Sequence, residues 1–455
     1  MERELMAHLF RRAGFGATQD ELDVALSKGY DVVVEELINH EPTPDFDDYP
    51  VFRYHVGMKE SRLAIPAQSY WLYRMINTHR PLEEKMTLFW HCLFATAFSK
   101  LDCAKPIVNQ IAMFRRHCLG SYRKLLNEVS RDPAMIYWLD NHQNTKRSLN
   151  ENFGRELLEL FTLGVGNYSE ADIKACARAF TGWTFKEQVP SDLPYGRFEW
   201  VFEFRSDLHD YGEKEFLGRS GDFDGGNIID IILEQPTAAR HLAYRLHKFF
   251  VSDQPDMGAV DDLAAMCSRT DYDIREIMRY LLLSPAFRSE RAYYSKVKSP
   301  VELIVGLLRL TDDFRTPKHG IEDVALASSY MGQSLLDPPT VEGWHTGAEW
   351  IDTACLMERI DFAVKHVSDA NIPGVRRLIE CLNPKAQLSP EAIIDEILYL
   401  IGPLRIDDST RDALLRFAQR QGPVWHQQPD TVHQLEQRVV ELLQLIVATR
   451  EFQMT

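Results

Sequence analysis

A chain of 455 residues, 45% hydrophobic and 26% charged, has globular composition and length for a large core or two closely packed ones, so disorder is excluded as its default state. Its 51 basic residues are outnumbered by 67 acidic ones, and the formal net charge of −16 opposes contact with phosphate backbones or anionic lipid; no nucleic acid is expected as a partner. No apolar run approaches the roughly 18 residues of a membrane span, so no integral membrane segment is expected.

The first element is MERELMAHLFRRAGFGAT, which alternates charge with short apolar groups and lacks the apolar core of a signal peptide. It predicts a helix over 2–12 and a cytoplasmic chain, unless a leader has been removed. Apolar residues then recur with a period near 3.6, between caps of Ser, Thr or Asp and stops at Gly or Pro. The pattern predicts helices over 19–39, 61–78, 81–98, 106–129, 133–139, 149–163, 170–182, 226–234 and 236–251. Further helices are expected over 259–268, 273–283, 299–311, 320–331, 353–367, 390–401, 409–420 and 430–449. The fold class is mainly α, a multi-helix orthogonal or bundle-like assembly. One segment breaks the pattern: Phe198, Trp200, Phe202 and Phe204 alternate strictly, which predicts a small β-hairpin around residues 198–217, an insertion of about 196–218. Its turn carries His209 and Asp210, which are candidate ligand-binding residues. NPKAQLSPE reads as a linker, so the expected organisation is a main helical domain over 1–382 and a segment over 383–455 that closes the same body or forms a small subdomain. The seven cysteines are odd in number and share no two-residue spacing, so they read as reduced, mostly buried thiols.

The stretch SLNENFGRELLELFTLG, residues 148–164, is the best place for a site. Ser148 with Glu151 fits a capping box and Gly164 a left-handed stop, giving a helix of about 14 residues. Projected at about 100° per residue, Asn152, Arg155, Glu156 and Glu159 share one sector of roughly 120°. Just before it the chain delivers Asp140, Asn141 and Asn144. Three readings stay open: a solvent face, a hydrogen-bonded structural network, or a site for a divalent cation or polar substrate, since oxygen-rich clusters are what hard ions require. In the last, Glu156, Glu159 and Asp140 are the metal candidates, Arg155 is an anion clamp and a buried carboxylate is a general base. The 81–98 helix is apolar nearly all round and aligns Glu84 with His91, so His91 is a buried imidazole, either a core residue or a catalytic candidate beside Glu156, Glu159 and Arg155. His241 and His247 lie six positions apart, about 120° around a helix, and do not form a pair. GDFDGGNIID has Leu233 where a calcium loop needs glutamate and reads as a turn and cap.

HLFRRAGFGAT, EKMTLFWHCLFAT, DPAMIYWLDN, NENFGRELLELFTLGVGNYSEADI, ARAFTGW, HDYGEKEFLG, KVKSPVELI and the PP..VEGW....WI pattern at 338–351 together resemble the bacterial domain-of-unknown-function 1800 family, DUF1800. The resemblance runs from residue 8 to the final REFQ. It implies an export leader in many members, and gene neighbours similar to sulfatases and alkaline phosphatases, hence a surface or secretion role and a partner protein of that kind. Two positions depart from the pattern: Trp90, His91, Cys92, Leu93, Phe94 replace Trp-His-Asn-His-Phe, and Gly343, Trp344, His345 replace Gly-Trp-Pro. The first removes a two-histidine ligand pair. The expected function is a central polar pocket that binds a polar ligand or divalent ion, with metal-assisted hydrolysis or transfer as its chemistry. The rival is a non-catalytic binding or assembly protein.

Overall fold

Capping residues and glycines set most of the helix boundaries. In a computed structural model, which describes residues 2–58, 63–188, 199–382, 387–420, 424–425 and 430–455, helices account for most of the chain. Thr18 and Glu21 close a capping box at Gln19–Lys28, and Ser299 and Glu302 another at Pro300–Leu310. Two expected helices are divided. Gly29, at φ +88°, separates Gln19–Lys28 from Tyr30–Ile38. The 106–129 helix becomes Ala104–Arg116 and Tyr122–Arg131, because Gly120 and Tyr122 turn their backbone bonds to Ile274 and Tyr272 across the core. Tyr49–Tyr54 and Pro373–Leu382 are helical without having been expected.

A hairpin is present, with a different partner from the one expected. Glu199–Phe204 pairs antiparallel with the preceding Trp183–Gln188, whereas Lys214–Phe216 pairs with Arg219–Gly221 in a second two-stranded ribbon. The reason is aromatic. Trp183 and Phe185 supply rings that meet Phe202 at 5.5 Å and Trp200 at 4.5 Å across the strands. Gly182 lets the chain turn into the first strand: a Cβ there would lie 2.4 Å from the Arg205 carbonyl oxygen. His209 and Asp210 therefore sit after the second strand, on the return to the helical body. Phe198 and the connection between the strands lie outside the described residues.

One hydrophobic cluster runs from Met6 to Phe452. The Asp430–Val447 helix packs on Thr353–Lys365, Pro373–Leu382, Pro390–Leu400 and Asp408–Arg420, burying Leu435, Val439, Leu442 and Ile446. The last residues return to the first helix, where Arg12 donates to the Ala292 and Thr455 carbonyls at 2.8 Å each. Four cysteines, Cys103, Cys118, Cys176 and Cys267, are buried, and all seven are free. No helix among the described residues is long and apolar enough to cross a membrane.

Candidate functional site

The stretch 148–164 departs from a plain helix in two ways. Ser148 does not cap it; its N–H goes to Thr145, and the Asn150 side chain accepts the Asn152 N–H at 3.0 Å. The α-helix runs only from Asn152 to Glu156, and Leu157–Thr162 widens into a π-helix, in which the Leu163 N–H reaches the Leu158 carbonyl. Side chains satisfy the carbonyls that widening exposes. The Thr162 hydroxyl donates to Leu157 O at 2.6 Å and the Tyr122 hydroxyl to Phe161 O at 2.6 Å, while the His241 Nε2 lies 2.9 Å from Leu160 O. Gly164, at φ +79°, ends the segment as expected.

The residues expected to gather around this helix do not form one cluster. Asn141 and Asn144 are sealed in the core: Asn141 donates to Phe180 O and Trp183 O, and Asn144 to Asn141 Oδ1 and Ala177 O. That is a network fixing the loop to the next helix. Asp140 pairs with Lys100 at 2.8 Å, and Arg155 holds Glu170 at the surface. Asn152 is partly exposed. His209 is buried with Nδ1 2.8 Å from the Thr181 carbonyl oxygen, and the Arg178 guanidinium keeps the Asp210 carboxyl below its usual range. Glu159 accepts from the Tyr168 hydroxyl at 2.7 Å. Glu156 is held above the carboxylate range by burial and by the nearby charges of Glu159 and Glu342. Among the described residues, the group of three donors close enough to hold a metal does not include Glu156, Glu159 or Asp140.

Glu342 and Leu160 of the π segment both line a cavity. This open cavity of about 580 Å³ lies between Cys92, Leu160, the helix Pro236–Phe250, the segment 296–302 and the loop 339–350. Phe89, Phe249, Trp344 and Trp350 supply apolar wall, and both tryptophans are buried. Its charges are unequally compensated. Lys296 donates to Asp253 at 3.1 Å, and Glu302 is paired with Lys85 in the core. Glu342 and Glu349 are exposed at the rim. Arg245 and Lys248 also line the cavity, and their side chains make no hydrogen bond or ion pair with any described residue. Burial lowers the Arg245 pKa, although the residue keeps partial solvent access and Glu342 opposes the shift. Neither residue was singled out from the sequence, although Arg245 and Lys248, with His241, recur at helical spacing on an otherwise largely apolar helix.

Four of the stretches that carry the sequence resemblance line this one cavity: Cys92, Leu160, Lys296 to Glu302 and Thr340 to Trp350. The family described as "protein of unknown function (DUF1800)" matches residues 8–454. The chain belongs to the DUF1800 family. Comparison with curated proteins and with solved structures gives no match. In this DUF1800 member the Gly-Trp pattern has a steric cause. Gly343 has φ +92°, and a Cβ there would sit 2.9 Å from the Cys92 carbonyl oxygen, so only glycine lets the loop press on the end of Pro81–Leu93.

His91 holds the same loop from within. It is fully buried, its ring lies 5.5 Å from Trp71 and 5.1 Å from Trp344, and its Nε2 accepts the Leu336 N–H at 3.1 Å. Nδ1 therefore carries the proton, and it has no partner among the described residues. Burial brings the imidazole pKa down to about 3, so His91 is neutral and positions the loop rather than transferring protons. The unfolded chain takes up a proton near pH 6.5 that the folded chain refuses. Stability from this residue is complete above 6.5 and falls as pH drops towards 3, by up to about 1.4 kcal/mol per unit. Asp132, raised to about 7 by burial, has the opposite slope between 3.8 and 7. The contribution of His91 is therefore read as a difference. The stability gap between the wild type and His91→Gln, measured by denaturant unfolding, is expected to narrow from pH 7 to pH 5; a constant gap would contradict a neutral buried imidazole.

Proposed function

We propose that this protein binds a small ligand with an anionic group in the Trp344 cavity, the anion on Arg245 and Lys248 and the ligand's less polar body against the aromatic wall. The observation that carries this reading is the pair of unpartnered cations. Both are only partly exposed and lack an ion-pair partner among the described residues, although a chain with a net charge of −16 has no shortage of carboxylates to supply one. A planar guanidinium beside an ammonium suits a carboxylate, phosphate or sulfate group. The acidic rim at Glu342 and Glu349 then favours a ligand whose outer end donates hydrogen bonds.

The test is calorimetric titration with inorganic phosphate, sulfate and simple aryl carboxylates. At least one is expected to bind the wild type, and Arg245→Met is expected to weaken it by about tenfold or more, the loss of one charge-assisted contact of about 1.5–3 kcal/mol. Equal affinity in both proteins, or no heat from any anion, would remove the proposal.

A second reading, metal-assisted hydrolysis or transfer, is favoured by one observation. Burial and the nearby charges of Glu159 and Glu342 raise the cost of ionising Glu156, a cost that a divalent cation beside its carboxylate would relieve. Glu156→Gln separates the two readings: it abolishes magnesium- or manganese-dependent activity under the second and leaves anion affinity unchanged under the first.

A further inference from the structure

We propose that His40, Glu83 and Cys118 form a binding site for a zinc-like transition-metal ion that staples three helical segments together at the end of the core helix remote from the cavity. The three residues come from separate places in the chain. His40 follows the helix Tyr30–Ile38, Glu83 lies in the first turn of Pro81–Leu93, and Cys118 follows Ala104–Arg116. Their donor atoms all lie within 4.8 Å of one another, and the residues are only 8%, 5% and 3% exposed. His40 Nε2 stands 3.0 Å from Glu83 Oε2, while its Nδ1 is buried with no hydrogen-bond partner among the described residues.

The donor set selects the ion. Imidazole, thiolate and a single carboxylate suit zinc or cobalt in tetrahedral geometry; magnesium and calcium require more oxygen donors than are present. Two ligands are held from behind. Arg74 reaches the other Glu83 oxygen at 3.4 Å, and the Trp90 N–H binds the Cys118 carbonyl at 3.0 Å, so neither residue has to be ordered by the ion. A thiolate and a carboxylate together match the charge of a dication, which would displace Arg80 from the Glu83 oxygen it now approaches at 3.5 Å. Arg74 is itself compensated by Glu84. On binding, the Cys118 thiol gives its proton to solvent and the His40 nitrogen that ligates is unprotonated, so affinity falls as pH is lowered. A nine-residue separation along the helix places Glu83 about 13 Å from Cys92. Three protein donors would leave the fourth tetrahedral position to water, and binding of the ion is independent of whatever occupies the Trp344 cavity.

The experiment uses the full chain purified without chelator. Elemental analysis is expected to find close to one zinc per chain, and chelator is expected to lower the melting temperature reversibly. Cobalt added to the stripped protein is expected to give a thiolate-to-cobalt charge-transfer band in the near ultraviolet. Cys118→Ala should lose that band and at least about tenfold in metal affinity, whereas Cys381→Ala, at an exposed thiol, should lose neither. The chelator and cobalt measurements on the wild type need no variant, so misfolding of Cys118→Ala does not block the test. Absence of both metal and band overturns the site. So does a band or a metal content that survives in Cys118→Ala, or cobalt bound without the thiolate band.

Discussion

Glu84→Gln is expected to cost about 3–5 kcal/mol of folding stability, the loss that follows when one member of a buried ionic network is removed. Glu84 is completely buried on the Pro81–Leu93 helix. Its carboxylate accepts from Arg74 Nε at 2.5 Å, Arg115 Nε at 2.6 Å, Arg115 Nη2 at 3.0 Å and Trp71 Nε1 at 2.9 Å. Burial alone would raise its pKa, but Arg115 and Arg74 outweigh it and bring the group to about 2. The folded value lies below the unfolded one. The stabilisation is therefore present above about pH 4.5 and is lost as pH falls towards 2. Glutamine keeps the shape, yet it turns an NH₂ group towards donors and leaves two arginines short of one negative charge. Urea unfolding at pH 7 checks the effect against Glu170→Gln. That residue meets Arg155 in full solvent and should give no measurable change. Equal effects would mean that the network contributes nothing beyond its shape.

What the sequence conveyed and what it withheld follow from the range of each signal. Helix boundaries are set within a turn by caps, so Pro300–Leu310 and Glu170–Ala179 fall close to where Ser299 and Ser169 predict them. The break at Gly120 is a tertiary event, since it depends on bonds to residues 150 positions away that local periodicity does not register. The π-helix is similar. Its stability rests on Tyr122 and His241 satisfying distant carbonyls, and the regular 100° projection that grouped Glu156 with Glu159 no longer holds past Leu157. The asparagines before the helix looked like ligands because their residue type serves loops and sites equally; only burial shows Asn141 and Asn144 to be occupied with backbone. Arg245 and Lys248 were invisible for the converse reason. A cation on a helix is ordinarily a solvated residue, and its lack of a partner is a property of the packed structure alone.

The second large effect is expected at Lys85, whose ammonium is fully buried, paired with Glu302 and donating to the Gly14 carbonyl at 3.0 Å. Lys85→Met should destabilise by about 3–5 kcal/mol, because it leaves the Glu302 carboxylate in the core without its main partner. Burial would otherwise raise that carboxyl; Lys85 and Lys296 bring it to about 2. The double variant Lys85→Met, Glu302→Leu should recover most of the loss, since an apolar pair can replace a buried ionic one. About 1–2 kcal/mol should remain, from the unbonded Gly14 carbonyl and from the Ser299 cap that Glu302 completes. A double-mutant cycle showing simple additivity would mean that the two charges do not interact. The same pair shapes the cavity. Lys85 neutralises Glu302, a buried carboxylate that lines both the core and the Trp344 wall, which leaves Arg245 and Lys248 without a direct ion-pair partner among the described residues. In folded Lys85→Met the freed carboxylate faces the cavity, so anion affinity should fall as well, whereas in the double variant it should return. The core ion pair then supports ligand binding without touching the ligand.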